Sequence, residues 1–337
     1  MNPTLLLTRF RCLPRWCSRA PLLLAITVVM ILSPSLGIAA QAKPKKSATV
    51  DDISRTTKDG LKLYFRYYPG SKGKKTVPII LLHAWDQQGR DLEGLAKFLQ
   101  DPEHEQGGHA VVVPDLRGHG RSTTISSSDD SGKEVKLDPK KMKARDLEAM
   151  VVFDMETIKN FLIQKNNDAE LNIDQLCIVA IEESCLVGLN WCLQDWNWPQ
   201  LAGYKQGRDV KAFVLVSPVS SFRGFTARNA LRHPIVVGKL SAMIFYGQQD
   251  RKAKKGATLI YNRLKKAHKT DFEDKQERME KLDLFERPLP TTLQGNKLLS
   301  AESLHVASQI ALFIDLRLDQ KSGDYPWAER KSPLSDR

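Results

Sequence analysis

The tightest constraint on this chain is a set of short, unbroken apolar runs at residues 77–83, 110–113, 176–181, 212–216 and 242–246. A strand with one face in water alternates apolar and polar residues, whereas a strand buried on both faces reads as continuous Val, Ile and Leu. The segments between the runs carry helical spacing, as at Leu92, Leu95, Ala96 and Leu99. Buried strands alternating with helices predict an α/β fold, a mostly parallel central sheet with helices on both faces. Residues 61–68 alternate and end at Pro69-Gly70, so they read as an early antiparallel strand. Helices are expected at 91–100, 139–164, 184–196, 254–268 and 304–316, the last capped by Ser300 or Ser303. Residues 126–135 read as a surface loop, 270–286 as an exposed helical excursion and 289–293 as the last strand.

The N-terminus has a different character. Residues 1–42 hold Arg9, Arg11, Arg15 and Arg19, no acidic residue, an apolar run at 21–32 and the small-x-small sequence Ala40-Gln41-Ala42. This is the pattern of a signal peptide cleaved after Ala42. The run is shorter than the roughly 20 residues a spanning helix needs. An exported protein, periplasmic or secreted, is expected; the rival is an anchor formed by an uncleaved segment, which would be the one membrane contact. A linker at 43–52, a domain at 53–319 and a loose tail at 320–337 follow. The net charge of +12 drops to +8 once the four signal arginines are removed (12 − 4). The remaining cations, Lys43, Lys72, Lys140, Lys252 and Lys266 among them, read as scattered over several surface stretches rather than gathered on one helix, a solubilising surface. Without interleaved aromatics or a binding motif, nucleic acid is not an expected partner. Cys177, Cys185 and Cys192 remain after cleavage; an odd, closely spaced set is no disulfide framework, and they read as small core residues. No metal-ligand spacing is present, and no cofactor is expected. The partner is an unidentified small molecule or protein.

One motif narrows the fold class. Pro114-Asp115-Leu116-Arg117-Gly118-His119-Gly120-Arg121-Ser122 follows a buried run, with glycines where a tight loop needs positive φ. It resembles the D-x-R-G-H-G-x-S loop of the α/β-hydrolase superfamily. Upstream, His83-Ala84-Trp85 is similar to the His-Gly-x segment of that family's oxyanion loop, with Ala84 in the glycine position. Downstream, Gly247-Gln248-Gln249-Asp250 resembles the G-x-x-D that brings a triad acid. The resemblance spans residues 61–316. It implies an α/β-hydrolase fold, here without a large lid domain, because only a short excursion separates 216 from 242. His83 and His119 are expected to brace loops.

Active members present a serine on a sharp strand-to-helix turn, G-x-S-x-G. Strand and helix here align through Ala180-Ile181-Glu182-Glu183-Ser184, which puts Glu182 at the nucleophile and small residues, Ala180 and Ser184, at the glycine positions. Reading Ser184 as the nucleophile would place Glu182 and Leu186 at those tight positions. The family's histidine segment, H-G-x-x-L, reads Gln294-Gly295-Asn296-Lys297-Leu298, so Gln294 stands for the base. Glutamine cannot take up a proton near neutral pH. His305 is the nearest alternative. By resemblance the triad positions are Glu182, Asp250 and Gln294, and the oxyanion region comprises His83, Ala84, Trp85 and Glu183. Losing serine or histidine removes on the order of 10⁶-fold in rate from a triad enzyme. The expectation is a pseudo-hydrolase with a binding or scaffold role. The alternatives are an ester or acyl hydrolase with a non-standard nucleophile, such as the carboxylate nucleophiles of haloalkane dehalogenases and epoxide hydrolases, or a binding carboxylate with a raised pKa.

Overall fold

The computed structural model describes residues 49–126 and 134–331. The expected signal peptide, most of the linker, part of the 126–135 loop and the end of the tail lie outside the described residues. Eight strands form one sheet: β1 (Asp51–Thr56), β2 (Lys62–Tyr68), β3 (Pro78–Leu82), β4 (Ala110–Pro114), β5 (Leu176–Ile181), β6 (Val210–Val216), β7 (Ser241–Gly247) and β8 (Leu284–Leu289). Their order is β1-β2-β4-β3-β5-β6-β7-β8. β1 and β2 are antiparallel to their neighbours, and the six strands from β4 to β8 run parallel.

The five unbroken runs are the five central strands, and their side chains divide between two cores. Ile79, Leu81, Cys177, Val179, Val214 and Phe245 meet α1 (Glu93–Gln100) and two later helices. Ile80, Leu82, Ile178, Ala180, Leu215 and Ile244 meet α2 (Ala144–Ala149), α3 (Met155–Asn167), α4 (Ser184–Asn197), α5 (Pro234–Gly238) and α6 (Arg251–Lys265). The helices α2 and α3 are joined by a π turn, Met150–Asp154. A short α7 (Lys275–Lys281) precedes β8; α8 (Gly295–Leu299) and α9 (Val306–Ile314) then return to the first core through Leu298, Val306 and Ile310. The three cysteines are free and buried. Between β6 and β7 there is a two-residue hairpin, Ser221–Phe222 with Phe225–Thr226, a 3-10 turn and α5, and no large lid.

Several elements differ from the sequence expectation, and the helix expected from 139 begins only at Ala144 after a 3-10 turn at Pro139–Lys141. The last strand is Leu284–Leu289, not residues 289–293. It is an edge strand whose Glu286, Arg287 and Pro288 carry no apolar run, so the charged stretch concealed it. Strand β1 likewise begins inside the expected linker, at Asp51. The tail is not loose over 320–331. Asn166 and Asn167 donate to the carbonyls of Ala328 and Arg330, Asn172 donates to that of Tyr325, and Trp327 Nε1 donates to that of Leu171. The Arg330 guanidinium pairs with the fully buried Asp209. Helix α9 starts from His305 in a left-handed conformation, so neither Ser300 nor Ser303 caps it.

Candidate active site

The chain reverses direction between β5 and α4 in two residues. Glu182 takes up the turn with φ +52°, a conformation that costs a non-glycine residue roughly 1–2 kcal/mol. Its N–H donates to the Val216 carbonyl at 2.8 Å, and its carbonyl accepts from Cys185 N–H at 3.2 Å. Ser184 is 3 % exposed and wholly engaged. Its Oγ accepts from Ile181 N–H and lies 2.9 Å from the carbonyls of Leu82 and Ile181, to one of which it donates. It fastens the elbow to β3 and presents no hydroxyl above the sheet. Close packing around the elbow also sets the size of Gly188, where a Cβ would lie 3.2 Å from Ile178 and 3.4 Å from Ala180.

The Glu182 side chain lies against the segment after β8. A Cβ on Gly295 would overlap Glu182 Oε1 and stand 2.7 Å from its Cδ. Gly295 itself has φ +52°, so this position demands glycine for conformation and for space. The Gly295 N–H donates to Ser217 Oγ at 2.9 Å. Ser217, left-handed at φ +53° and buried, ends β6 as Glu182 ends β5. Its place directly after a continuous apolar run is the sequence signal that marks it. Gln294 is extended and its Nε2 donates to the Gly247 carbonyl at 3.3 Å, leaving a buried Oε1 without a partner. Asp250 N–H donates to the same carbonyl, but its carboxylate accepts from Ala253 N–H at 2.8 Å and caps α6. The three residues expected at triad positions therefore converge on one end of the sheet without an Asp250–Gln294 hydrogen bond. His305 is exposed, and among the described residues its side chain bonds to nothing.

The residues expected to form an oxyanion region contact one another. Trp85 N–H donates to Glu183 Oε2 at 3.4 Å, so the amide after His83-Ala84 faces a carboxylate from the elbow. The Trp85 ring stacks on Phe222 with centroids 4.8 Å apart and meets His119 edge-on at the same distance. The guanidinium of Arg223 lies 5.1 Å from both the Trp85 and Phe222 rings, and its Nη1 donates to the carbonyls of Pro139, Lys140 and Met142. A clasp neither Phe222 nor Arg223 announces in sequence thus holds the Trp85 ring.

Electrostatics follow from burial. The Glu182 carboxyl is raised above its ordinary value, first by desolvation and then by repulsion from Glu183, with Lys252 opposing. His83 is pushed down to about 4 by burial. Its Nε2 accepts from Leu116 N–H, which leaves Nδ1 to donate to the Ala84 carbonyl, and both bonds tie the oxyanion loop to the loop after β4. His119 is lowered by burial and donates through Nδ1 to the Arg117 carbonyl, another bracing role. In the same loop Asp115 accepts from Gly89 and Arg121 N–H groups. Arg117 bridges Asp59 and the buried Asp154, with closest contacts of 2.6 Å to each. Every charged side chain that completes the D-x-R-G-H-G-x-S pattern is thus spent on loop structure. Among the described residues no cluster of His, Cys, Asp or Glu is placed to hold a metal ion.

No protein-family model matches the chain, and no curated protein does. Solved structures do. An esterase from Pyrococcus furiosus superimposes with a TM-score of 0.52 at 13 % identity, covering 81 % of this chain and 94 % of the esterase. A second crystal form of it gives 0.51 at 14 % identity, covering 81 % and 92 %. The α/β hydrolase GrgF from a Penicillium species gives 0.51 at 13 % identity, covering 80 % and 99 %. At such identities the likeness is one of fold, and the fold is that of the α/β hydrolases.

Proposed function

We propose that this α/β-hydrolase-fold chain is an exported binding or scaffold protein without a working Ser-His-Asp triad. The observation that carries the reading is the Trp85 N–H held by the Glu183 carboxylate. An oxyanion hole works because its donors wait for charge that develops only in the transition state. Here a fixed negative charge already faces the donor, and a substrate oxyanion would meet repulsion. Glu182 in place of serine and Gln294 in place of histidine remove the nucleophile and the base as well. Without a triad, an intact oxyanion hole supplies only ~10³–10⁴-fold over water, and this one is occupied. Glu182 and Glu183 are left as partly exposed carboxylates at the elbow, which favour a cationic or hydroxyl-rich small molecule, or a protein surface bearing such groups. The test is a fluorophosphonate probe applied to the purified protein. No labelling is expected, and stoichiometric labelling at any residue sinks the proposal. Export rests on residues 1–42; the N-terminus of protein recovered outside the cytoplasm should begin at Lys43, and retention of Met1 in a membrane fraction would favour the anchored form.

A second reading, hydrolysis of esters or other acyl compounds with Glu182 as nucleophile, draws on the likeness to esterases and on the strained φ kept at that residue. It requires turnover on an ester panel that disappears in Glu182→Ala. A flat panel eliminates it.

A further inference from the structure

The whole chain has 51 Lys and Arg against 39 Asp and Glu. Residues 219–269 alone hold 12 against one, Asp250. That leaves 39 against 38 for everything else, so this segment carries nearly all of the net charge. Cations elsewhere are matched by acids, so the net charge gathers in this one segment, and half of its cations lie on helix α6, against the expected scatter. Helix α6 turns Ala253, Ala257, Ile260 and Leu264 into the core and its cations outward. Arg251, Lys255, Leu259, Arg263 and Lys266 follow one another at helical spacing along the exposed side. The 15 residues of the helix make a track about 22 Å long.

Two concavities run along this track. One, of about 870 Å³, lies between α6 and the β6–β7 excursion and is lined by Arg228, Arg232, Arg263 and Lys266 with hydroxyls from Ser220 and Ser221. The other, of about 460 Å³, is lined by Arg251, Lys254 and Lys255 and shares Leu259 and Asn262 with the first. Neither is lined by an acidic or an aromatic residue. Among the described residues, Arg228, Arg232, Arg251, Lys254, Lys255 and Lys266 form no ion pair or side-chain hydrogen bond, so their charges are uncompensated.

We propose that the α6 track binds a linear anionic polysaccharide, a sulfated or uronic-acid chain laid along the joined grooves. Uncompensated cations repel one another, and a polyanion relieves that repulsion at each step of its length. Ser220, Ser221, Thr226 and Asn262 offer the hydrogen bonds that sugar hydroxyls use. Single-stranded nucleic acid would call for aromatic platforms on which bases stack, and the lining has none. A bilayer would call for apolar insertion, whereas Leu259 is the one large apolar side chain exposed along the track among the described residues.

The experiment compares the purified full chain with two triple variants, using heparin and polygalacturonate as probes. Arg228→Gln/Lys255→Gln/Lys266→Gln removes three exposed groove charges, and Lys58→Gln/Lys62→Gln/Lys75→Gln removes three exposed charges elsewhere. Expected are saturable binding of at least one probe at low salt, weakening as salt rises, an affinity at least about tenfold lower in the groove variant and within about twofold in the other. Unchanged melting temperatures show that both variants are folded. Equal losses in the two variants would reduce the effect to bulk charge and overturn the proposal. So would no binding by the wild type, or tighter binding of single-stranded RNA or phosphatidylglycerol vesicles than of either polysaccharide.

Discussion

Glu182 holds two liabilities at one residue, a left-handed backbone and a half-buried carboxylate. Replacement by glycine should relieve the first. Part of the gain is offset by the extra freedom of glycine in the unfolded chain, and Glu182→Gly should raise unfolding free energy by about 1 kcal/mol in a denaturant titration. The second liability gives a pH signature. The folded pKa lies above the unfolded one, so the fold favours the protonated form. That advantage is complete below the unfolded value of 4.5 and is lost as pH rises through the folded pKa. Glu182→Gln should therefore match the wild type near pH 4 and exceed it at pH 7, as read from thermal melts across that range. Gly295→Ala should cost about 2 kcal/mol or more by driving a Cβ into Glu182. In a Glu182→Ala background the cost should shrink to the conformational part alone, a coupling that a double-mutant cycle isolates. At this scale the sequence named Glu182, Gln294 and Asp250 because each falls at a fixed step from a recognisable strand. It did not reveal that Glu183 reaches Trp85, or that Asp250 caps α6 instead of facing Gln294, because those choices are made by side chains across the fold.

Elements were legible in proportion to their burial. β3 through β7 are wetted on neither face and wrote themselves as apolar runs. β1 and β8 sit at the sheet edges, where half of the backbone and much of the side-chain surface meets solvent, so their sequences look like linker and charged excursion. The tail escaped notice for another reason. It is held by backbone carbonyls and by Arg330, and neither composition nor periodicity registers such bonds. Its hold has a measurable weight. Asp209 is fully buried against Lys159 and Arg330, and Asp195 beside it accepts from the N–H groups of Asp209 and Val210. Ending the chain after Gly323 removes Arg330 and leaves that carboxylate short of a partner. The cost should be about 3–5 kcal/mol in urea unfolding, with Arg330→Ala accounting for most of it.

For the molecule as a whole, the α/β-hydrolase fold is kept, and on the proposed reading its elbow end is engaged with itself. If that reading holds, placing serine at 182 and histidine at 294 should not suffice. Glu182→Ser/Gln294→His is expected to remain essentially unlabelled by fluorophosphonate, since Glu183 still faces the Trp85 amide. Adding Glu183→Ala should raise the labelling rate at least about tenfold, within the range that one oxyanion donor contributes. Equal rates in the double and triple variants would remove the inhibitory role assigned to Glu183. The sheet has a further consequence at this scale. Its two open margins bear Asp51, Asp52 and Arg55 on one side and Glu286, Arg287 and Pro288 on the other. A margin of fixed charge with a proline that lacks an N–H is a poor template for another chain to extend. Each molecule therefore carries its own defence against ribbon-like polymers, and concentrated solutions are expected to seed no fibrils, as thioflavin fluorescence would read.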